Sequence, residues 1–512
     1  MIESQRQSEQ EAISMQPSRN RVQASALSYL LDKSKSNASR REMEELAEKY
    51  GMDIGKLENL SDAQTLVPNT SDTESLRSPT TAPWLQNVVL RDLAFHEKYA
   101  AGVDARGDVY QWGEGAEPSI TLKGKNIIQL ACSGAKVYAL SASGVIYALE
   151  ADLTRQPPPD AWLWNGGNAG TFQEIIPNNQ LSWGEKFISL SAGDNHLLAL
   201  TSSGRAFAHP INSNANAYGQ LGFRKFEVPV PSSKEHIPVE LVPKSIADPY
   251  AKASPFKRRP SEPEETKEIP KSTSFPFCTA IFEIPSLKGI KLTKLVAGGR
   301  SSFALTSTGR VLGWGANEYG QVGLGDNVTL STITVPTEVI LWRMASPRTQ
   351  MKCLDVSAGG DVTCFTLLLC GNGQYGSLGN NAYTNAQGSP IRARNVSNLT
   401  EYNEGTKSLK PIAPDSVSVS PTGHVLLTLD SAGGRDLLAW GKNYDYELGN
   451  GKRSSLAVPT TLIAPDGERF ILQRKKAKEI LDFQGNVWKR GVEVEQKAIT
   501  GYSSSAVFWK LS

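Results

Sequence analysis

Cysteine is scarce in this chain: five in 512 residues, at Cys132, Cys278, Cys353, Cys364 and Cys370. No two form a Cys-x-x-Cys pair. An odd, sparse set builds no disulfide framework and reads as buried thiols in a reducing compartment. Histidine is equally thin, and His96, His196, His209, His236 and His424 make no His-x-x-x-His or His-Cys cluster, which argues against zinc. Charge of one sign is lacking too. With 54 Lys+Arg against 52 Asp+Glu the net charge is +2, no electrostatic footprint for nucleic acid. The longest apolar runs are strand-sized, well short of the ~18 residues of a membrane helix. Met1 to Gln10, acidic and amide-rich, reads as neither a secretory signal nor a transit peptide.

Glycine, by contrast, is plentiful at 44 residues, and it recurs in register. Leu190-Ser-Ala-Gly-Asp-Asn-His-Leu-Leu-Ala-Leu-Thr201, then Ser203-Gly-Arg-Ala-Phe207, returns as Leu295-Val-Ala-Gly-Gly-Arg-Ser-Ser-Phe-Ala-Leu-Thr306, then Thr308-Gly-Arg-Val-Leu-Gly-Trp-Gly315. Gly193 to Gly204 and Gly298 to Gly309 are both 11 apart. Leu130 to Tyr147, with Gly134, is a third copy. Gly107 to Gly113, Val356 to Gly360 and Val417 to Gly441 are weaker ones, Ile471 to Gly491 is degenerate, and Ala498 to Phe508 lacks its second half. Each copy alternates apolar and small residues between glycine turns, the pattern of short strands. The residues that carry the repeat are Gly113, Gly134, Gly193, His196, Gly298, Trp314, Gly315, Gly359, Trp440, Gly441 and Trp488.

Residues 83–512 accommodate seven repeats of ~50 residues plus insertions. Short strands repeated in this way and closed into a ring make a β-propeller. There are eight first-strand signals and seven second-strand ones, and seven blades are expected, with the two chain ends sharing a blade. The expected class is therefore all-β, a seven-bladed propeller with a short N-terminal helical segment. A further recurring piece reads Gly315-Ala-Asn-Glu-Tyr-Gly-Gln-Val-Gly323, Gly371-Asn-Gly-Gln-Tyr-Gly-Ser-Leu-Gly379 and Gly441-Lys-Asn-Tyr-Asp-Tyr-Glu-Leu-Gly449, with Asn216 to Gly222 a partial fourth. Asn317, Gly373 and Asn443 share one slot, which suggests a left-handed backbone there. Gly371-x-Gly373-x-x-Gly376 matches the dinucleotide fingerprint in letters only, because no helix is expected to follow it.

The Ala-Gly-x-x-His-x-Leu-Ala-Leu-Thr, Gly-x-Val-x-x-Trp-Gly and Asn-x-x-Gly-Gln-Leu-Gly elements resemble regulator-of-chromosome-condensation repeats over roughly residues 88–509. That resemblance implies a seven-bladed propeller. Gly184 to His196, Ala208 to Ile211 with Gly219 to Arg224, and Trp162 to Gly167 are similar to the fungal mitochondrial branch of that family. Its members are associated with the inner membrane and with assembly of cytochrome bc1 (respiratory complex III), and carry a presequence and usually an anchor. Neither pattern is visible in this sequence.

Residues 1–60 read as a helical segment. Ser39-Arg-Arg-Glu42 forms a capping box ahead of Met43, Leu46, Ala47 and Tyr50, with Gly51 as stop. Asp53 caps a turn carrying Ile54, Leu57 and Leu60, and Leu27, Leu30 and Leu31 make another amphipathic turn. Residues 61–83, rich in Ser, Thr and Pro, read as a flexible linker. The propeller then occupies 84–512, with a disordered insertion at about 229–276. Within it, Lys257-Arg-Arg-Pro-Ser261 makes Ser261 a candidate phosphosite for a basophilic kinase.

Three functional classes follow. The preferred one is a non-enzymatic scaffold for protein partners, which by resemblance are components of complex III assembly at the mitochondrial inner membrane. The alternative is a guanine-nucleotide exchange factor for a Ran-like small GTPase, as the family's founding member is. The chromatin role of that nuclear member needs a basic tail, and residues 1–41 hold only seven Lys/Arg against four Asp/Glu. The third is a hydrolytic or transfer enzyme, for which no nucleophile elbow, phosphate loop or metal triad is present and no cofactor is expected. His196 is expected to make a hydrogen bond between blades rather than act as a base. The Trp-Gly aromatics Trp112, Trp314, Trp440 and Trp488 are expected to pack blades.

Overall fold

A computed structural model describes residues 76–80, 85, 88–113, 118–153, 172–229, 236–247, 278–341, 352–397, 399–412, 414–464 and 467–511. Four-stranded antiparallel units succeed one another along the chain. The first is β1 (Leu90–Phe95), β2 (Tyr99–Asp104), β3 (Val109–Gly113) and β4 (Ser119–Leu122), and the second is β5 (Ile127–Cys132), β6 (Lys136–Ser141), β7 (Ile146–Glu150) and β8 (Phe172–Pro177). The third, β9 (Phe187–Ala192), β10 (His196–Thr201) and β11 (Ala206–Pro210), is completed only after an excursion, by β14 (Ala280–Glu283). The excursion contains a hairpin of β12 (Lys225–Pro229) and β13 (His236–Glu240), then a short helix, α1 (Lys244–Ala247). The fourth unit is β15 (Leu292–Ala297), β16 (Ser301–Thr306), β17 (Val311–Ala316) and β18 (Thr332–Val339). The fifth is β19 (Val356–Gly359), β20 (Val362–Phe365), β21 (Leu368–Gly373) and β22 (Thr384–Arg392), followed by a hairpin of β23 (Thr400–Asn403) and β24 (Ser408–Pro411). The sixth is β25 (Pro414–Val419), β26 (His424–Ser431), β27 (Gly434–Gly441) and β28 (Leu456–Thr461), with β29 (Ile471–Leu472) pairing β27. The chain ends on β30 (Arg474–Leu481), β31 (Val487–Thr500) and β32 (Ser505–Leu511).

Seven segments line one central channel, drawn from β1, β5, β9, β15, β19, β25 and the end of β31 and the loops that leave them. The architecture is a β-propeller. Its seam lies in a single sheet ordered β30-β31-β32-β1-β2-β3-β4, in which Leu90 pairs with Lys510 in parallel. The two chain ends thus meet in one sheet. The degenerate copy at 471–491 is not a channel strand. It forms the hairpin of β30 with the first half of β31, and the eighth first-strand signal is an outer element.

One further expectation is corrected, in the described part of the insertion. The insertion assigned to 229–276 as disordered holds β13 and α1, and its first boundary falls inside β12. Phe226 and Val228 explain why, because they bury against Cys278, Ala280 and Phe282 as the insertion returns. The helical segment 1–60 and the linker 61–83 apart from residues 76–80 lie outside the described residues, as does Ser261.

The core is not one mass but a series of clusters, one at each joint. Tyr99, Val103 and Val109 of the first unit pack on Ile127, Leu130 and Val137 of the second. Leu198 and Ala208 of the third pack on Leu292, Leu295 and Trp314 of the fourth. Val362 and Leu369 of the fifth pack on Val425, Leu427 and Trp440 of the sixth. At the seam Leu90 and Leu93 meet Phe508. Burial of such side chains stabilises each joint by about 1.5–3 kcal/mol per residue.

Hydrogen bonds between neighbouring inner strands run round the same ring. Asp92 Oδ2 accepts the Leu130 amide at 2.8 Å. Gln129 donates to the Leu190 carbonyl and accepts its amide, both at 2.9 Å. Ser191 Oγ accepts the Ala297 amide at 2.9 Å. Lys294 Nζ meets Asp355 at 2.5 Å. Ser357 Oγ donates to the Val417 carbonyl at 2.9 Å, and Ser418 Oγ accepts the Thr500 amide at 3.0 Å. Lys510, 4.0 Å from Asp92, completes the circuit.

The glycines that lead out of the inner strands permit this approach. A Cβ at Gly193 would stand 2.5 Å from His196 Cε1 and 2.8 Å from the Gly299 carbonyl. At Gly298 it would stand 2.7 Å from Ser301 Oγ, and at Gly359 2.7 Å from the Ser420 carbonyl. Gly134, the equivalent residue of the second unit, has nothing nearer than His96 Nε2 at 4.0 Å. Backbone cannot yield as a flexible side chain can. Gly359→Ala is therefore expected to cost about 3 kcal/mol or more in chemical unfolding, beyond the usual penalty of overpacking. Gly134→Ala should change stability by less than about 1 kcal/mol, and equal effects of the two would contradict the close-approach account.

Three buried histidines supply a second check. The Ser302 hydroxyl donates to the Gln220 carbonyl, so its oxygen accepts from His196 Nε2 at 2.8 Å across the third joint. His424 Nε2 donates to the Ser504 carbonyl at 3.2 Å, and His209 Nδ1 to the Ala280 carbonyl at 2.8 Å. The other ring nitrogens of His196 and His424 are buried without partners among the described residues. Burial pushes His196 and His424 down to about 3 and His209 to about 4. The unfolded chain takes up these protons near pH 6.5 and the folded chain does not. Their contribution is therefore complete above about pH 6.5 and declines as pH falls toward 4, by up to about 1.4 kcal/mol per pH unit per histidine. Chemical unfolding at pH 7.5 and pH 5 should show the loss, and His424→Asn should flatten it. A stability independent of pH across that interval would contradict neutral burial.

Candidate functional site

The loops leaving the inner strands gather at one mouth of the channel, where His96, Gly134, Asp194, Gly299, Gly360, Pro421 and Tyr502 line it. These loops are tied to one another, with the Asp194 amide donating to the Gly299 carbonyl and the Gly299 amide to the Gly360 carbonyl, both at 2.9 Å. His96 stacks on Tyr99 with ring centroids 5.1 Å apart and tilts against Tyr502 at 5.6 Å.

Around the mouth stand the loops that follow the third strands, and each is locked from within. Asn317 accepts the Val322 amide and donates to the Leu330 carbonyl at 2.9 Å. Asn216 and Asn443 do the same in their loops, receiving the amides of Leu221 and Leu448. Neither Asn317, Asn443 nor Gly373 has a positive φ. The expectation of a left-handed slot is thus corrected: asparagine is there for its amide side chain, which satisfies loop backbone that would otherwise be buried unpaired. The left-handed positions of these loops are Gly219, Gly320 and Gly376, with Tyr446 there in the sixth unit at φ 62°, and, three residues on, Gly222, Gly323, Gly379 and Gly449.

Two of these loops also serve the next blade. The Gln220 carbonyl accepts Trp314 Nε1 at 2.8 Å, and the Ser377 carbonyl accepts Trp440 Nε1 at 2.8 Å. Both indoles are fully buried. Gly315 and Gly441, at φ 103° and 98°, let the chain turn out of those strands. Gly113 ends β3 with the Lys98 carbonyl 3.3 Å from where its Cβ would be. Trp488 differs: it lies half-buried on the outer hairpin with Lys489 5.9 Å over its ring, and no glycine follows it. Trp112 is also only half-buried.

One side chain organises the charge at this rim. Arg300 donates to Glu318 at 2.7 Å and to both oxygens of Asp361 at 3.0 and 3.1 Å, and its guanidinium lies 4.7 Å above the Tyr218 ring. Gln321 adds a bond to Asp361 at 3.0 Å. Sequence reasoning passed over Arg300 and Asp361, although Gly-Gly-Arg and Gly-Gly-Asp fill the equivalent place of adjacent repeats. Large apolar side chains are exposed at the other ends of the inner strands. Ile128 and Ile188 occupy the same second position of β5 and β9, and Trp183 in the loop before β9 is 103% exposed.

The arrangement offers broad loop faces on a frame of strands. Among the described residues no group of three His, Cys, Asp or Glu could hold a metal ion. Burial raises the thiols of Cys278 and Cys353 to about 11 and that of Cys132 to about 12, which leaves them protonated and unreactive. Among the described residues no helix is long and apolar enough to cross a membrane. The loop at Gly371 to Gly376 links β21 to β22 with no helix behind it.

Comparison with known proteins places the chain. The regulator of chromosome condensation (RCC1) repeat matches residues 292–321 and 308–366. Protein FMP25, mitochondrial, of Saccharomyces cerevisiae is 21% identical over 463 residues, 85% of this chain and 70% of that one. The RCC1 domain-containing protein RUG3, mitochondrial, of Arabidopsis thaliana is 23% identical over 332 residues, 60% of this chain and 70% of that one. Among solved structures, Prp20p of Saccharomyces cerevisiae, described with its binding to Gsp1p and histones, superposes with a TM-score of 0.50 at 16% identity, covering 88% of each chain. The chain carries RCC1 repeats and is a β-propeller of that kind.

Proposed function

We propose that this propeller is a non-enzymatic scaffold that binds protein partners in the mitochondrion, in association with the inner membrane, and acts there in the assembly of respiratory complex III. The observation that carries the reading is the similarity to mitochondrial FMP25 along 85% of the chain, which spans the blades and not one repeat alone. The fungal mitochondrial branch that the sequence resembles has this role. The geometry is consistent with it. Propeller faces present many loops on a rigid frame, and loops so placed serve recognition. The buried histidines are committed to joints between strands, and the thiols are held protonated. The exposed Trp183 and the Arg300-centred rim are the kinds of residue that anchor protein interfaces.

Deletion of the gene, followed by native electrophoresis of the respiratory complexes, tests the reading. Assembled complex III should fall several-fold with the other complexes less affected, and the intact gene should restore it. Normal complex III in the deletion strain would overturn the assembly role. Purified chain that accelerates GDP release from a Ran-like GTPase would replace it with nucleotide exchange.

A further inference from the structure

Several tight turns between paired strands share one plan. In three of them a hydroxyl heads the turn and accepts the amide four residues on: Ser141 from Val145 at 2.9 Å, Thr201 from Arg205 at 3.1 Å and Thr306 from Arg310 at 3.0 Å. Each also bonds a hydroxyl two residues on, at Ser143, Ser203 and Thr308. A hydroxyl is therefore sufficient for the turn. Two turns of the same five-residue form put an acid at the head instead. Asp104 heads Asp104-Ala-Arg-Gly-Asp108 between β2 and β3, and Asp482 heads Asp482-Phe-Gln-Gly-Asn486 between β30 and β31.

One oxygen of each carboxylate does what the hydroxyl does elsewhere. Asp104 Oδ1 accepts the amides of Arg106, Gly107 and Asp108, each at 2.9 Å. Asp482 Oδ1 accepts those of Gln484 and Asn486 at 3.0 and 2.8 Å. The second oxygen is surplus to the turn. In Asp482 it receives Arg106 Nε at 2.9 Å. In Asp104, a residue 1% exposed, Oδ2 is buried and has no partner among the described residues. Burying a carboxylate oxygen unpaired is costly, and a threonine at the head would keep an acceptor for the amide four residues on, as Thr201 and Thr306 do.

Both turns open on a cavity of about 200 Å³ at the seam, walled by Asp104, Arg106, Asp108, Tyr110, Asp482 and Asn486. Among the described residues that line it, three carboxylates face two cations, Arg106 and Lys123, with Arg91 a further cation interacting with Asp104 and Asp108, and Arg106 is already engaged by Asp482. Tyr110, stacked on Phe483 with centroids 4.2 Å apart, supplies an aromatic wall. The acidic groups do not converge as metal ligands, since no such group of three occurs among the described residues. The cavity is also larger than a bare ion requires.

The geometry points to a binding site for a cationic side-chain head group, the guanidinium or ammonium of an arginine or lysine on a partner protein, with Asp104 Oδ2 as its acceptor. Asp108 and Asp482 supply the surrounding negative field and Tyr110 the face on which the cation rests. Because the cavity is built from both ends of the propeller chain, such a side chain bridges the seam. Burial raises Asp104 above the usual carboxylate range despite its three amide bonds, and an incoming cation relieves that penalty. The inference is independent of the mitochondrial reading.

The test titrates the full-length chain with methylguanidinium chloride and with methylammonium chloride, following thermal stabilisation and calorimetric heat. Saturable binding of at least one probe is expected, and which one saturates at lower concentration distinguishes an arginine from a lysine site. Asp104→Thr restores the hydroxyl turn of Thr201 and Thr306, and Asp104→Asn keeps the shape. Both should fold and bind at least tenfold more weakly, the loss of one charge-assisted hydrogen bond. Absence of saturable binding, equal affinity in the wild type and Asp104→Thr, or tighter binding of calcium chloride than of either organic cation would overturn the proposal. A soak of wild-type crystals with methylguanidinium needs no variant. It should place a nitrogen within hydrogen-bond distance of Asp104 Oδ2, and occupancy only elsewhere would also overturn it.

Discussion

The structure depends on how closely one inner strand can approach the next. Each blade is a small sheet with too little apolar surface of its own to be stable, and its core is completed by the neighbouring blade. The joints must therefore be tight at the channel, where the blades converge. Glycines that leave no room for a Cβ make that approach possible, and short polar side chains (Ser191, Ser357, Ser418) bond across it. At two other joints Gln129 and the Lys294–Asp355 pair bond across instead. Buried polar groups at these points cost little only because they are paired, which makes the ring strict about its register.

The same constraint explains the outer loops. A blade that must hold its neighbour at a fixed distance also fixes the loops above the joint. The carbonyls of Gln220 and Ser377 therefore receive the indoles of Trp314 and Trp440, and Asn216, Asn317 and Asn443 pin the loops from inside. Arg300 then has a rigid setting in which to hold Glu318 and Asp361. The face that results is a platform whose chemistry varies from blade to blade while its geometry does not. That is a suitable property for protein recognition and leaves the identity of a partner to the exposed residues.

The repeat was legible because one residue type answers two demands. Glycine is required where the chain turns with positive φ, as at Gly204 and Gly309, and where backbones touch, as at Gly193 and Gly359. Its spacing therefore survives in letters. What was illegible has physical reasons. The Asn slot was misread because glycine and asparagine share left-handed preference, whereas here asparagine acts through its side chain. The hairpin of β12 and β13 was missed because Phe226 and Val228 bury against strands far along the chain, which local composition does not register. Trp488 was grouped with Trp314 and Trp440 on the aromatic alone, without the glycine that lets the other strands turn. Asp104 and Asp482 were visible in principle, since aligning the turn heads shows two acids where hydroxyls stand.

The central claim, that joints between inner strands hold the ring as one unit, is tested most directly by amide hydrogen exchange. The amides of Leu130, Leu190, Ala297 and Thr500 donate to side chains of the adjacent blade, at 2.8 to 3.0 Å, and sample four joints including those flanking the seam. The account predicts that all four are slow and exchange at similar rates, through opening of the whole ring. If Leu130 and Thr500 exchanged orders of magnitude faster than Ala297, the ring would be opening blade by blade, and the account would be wrong.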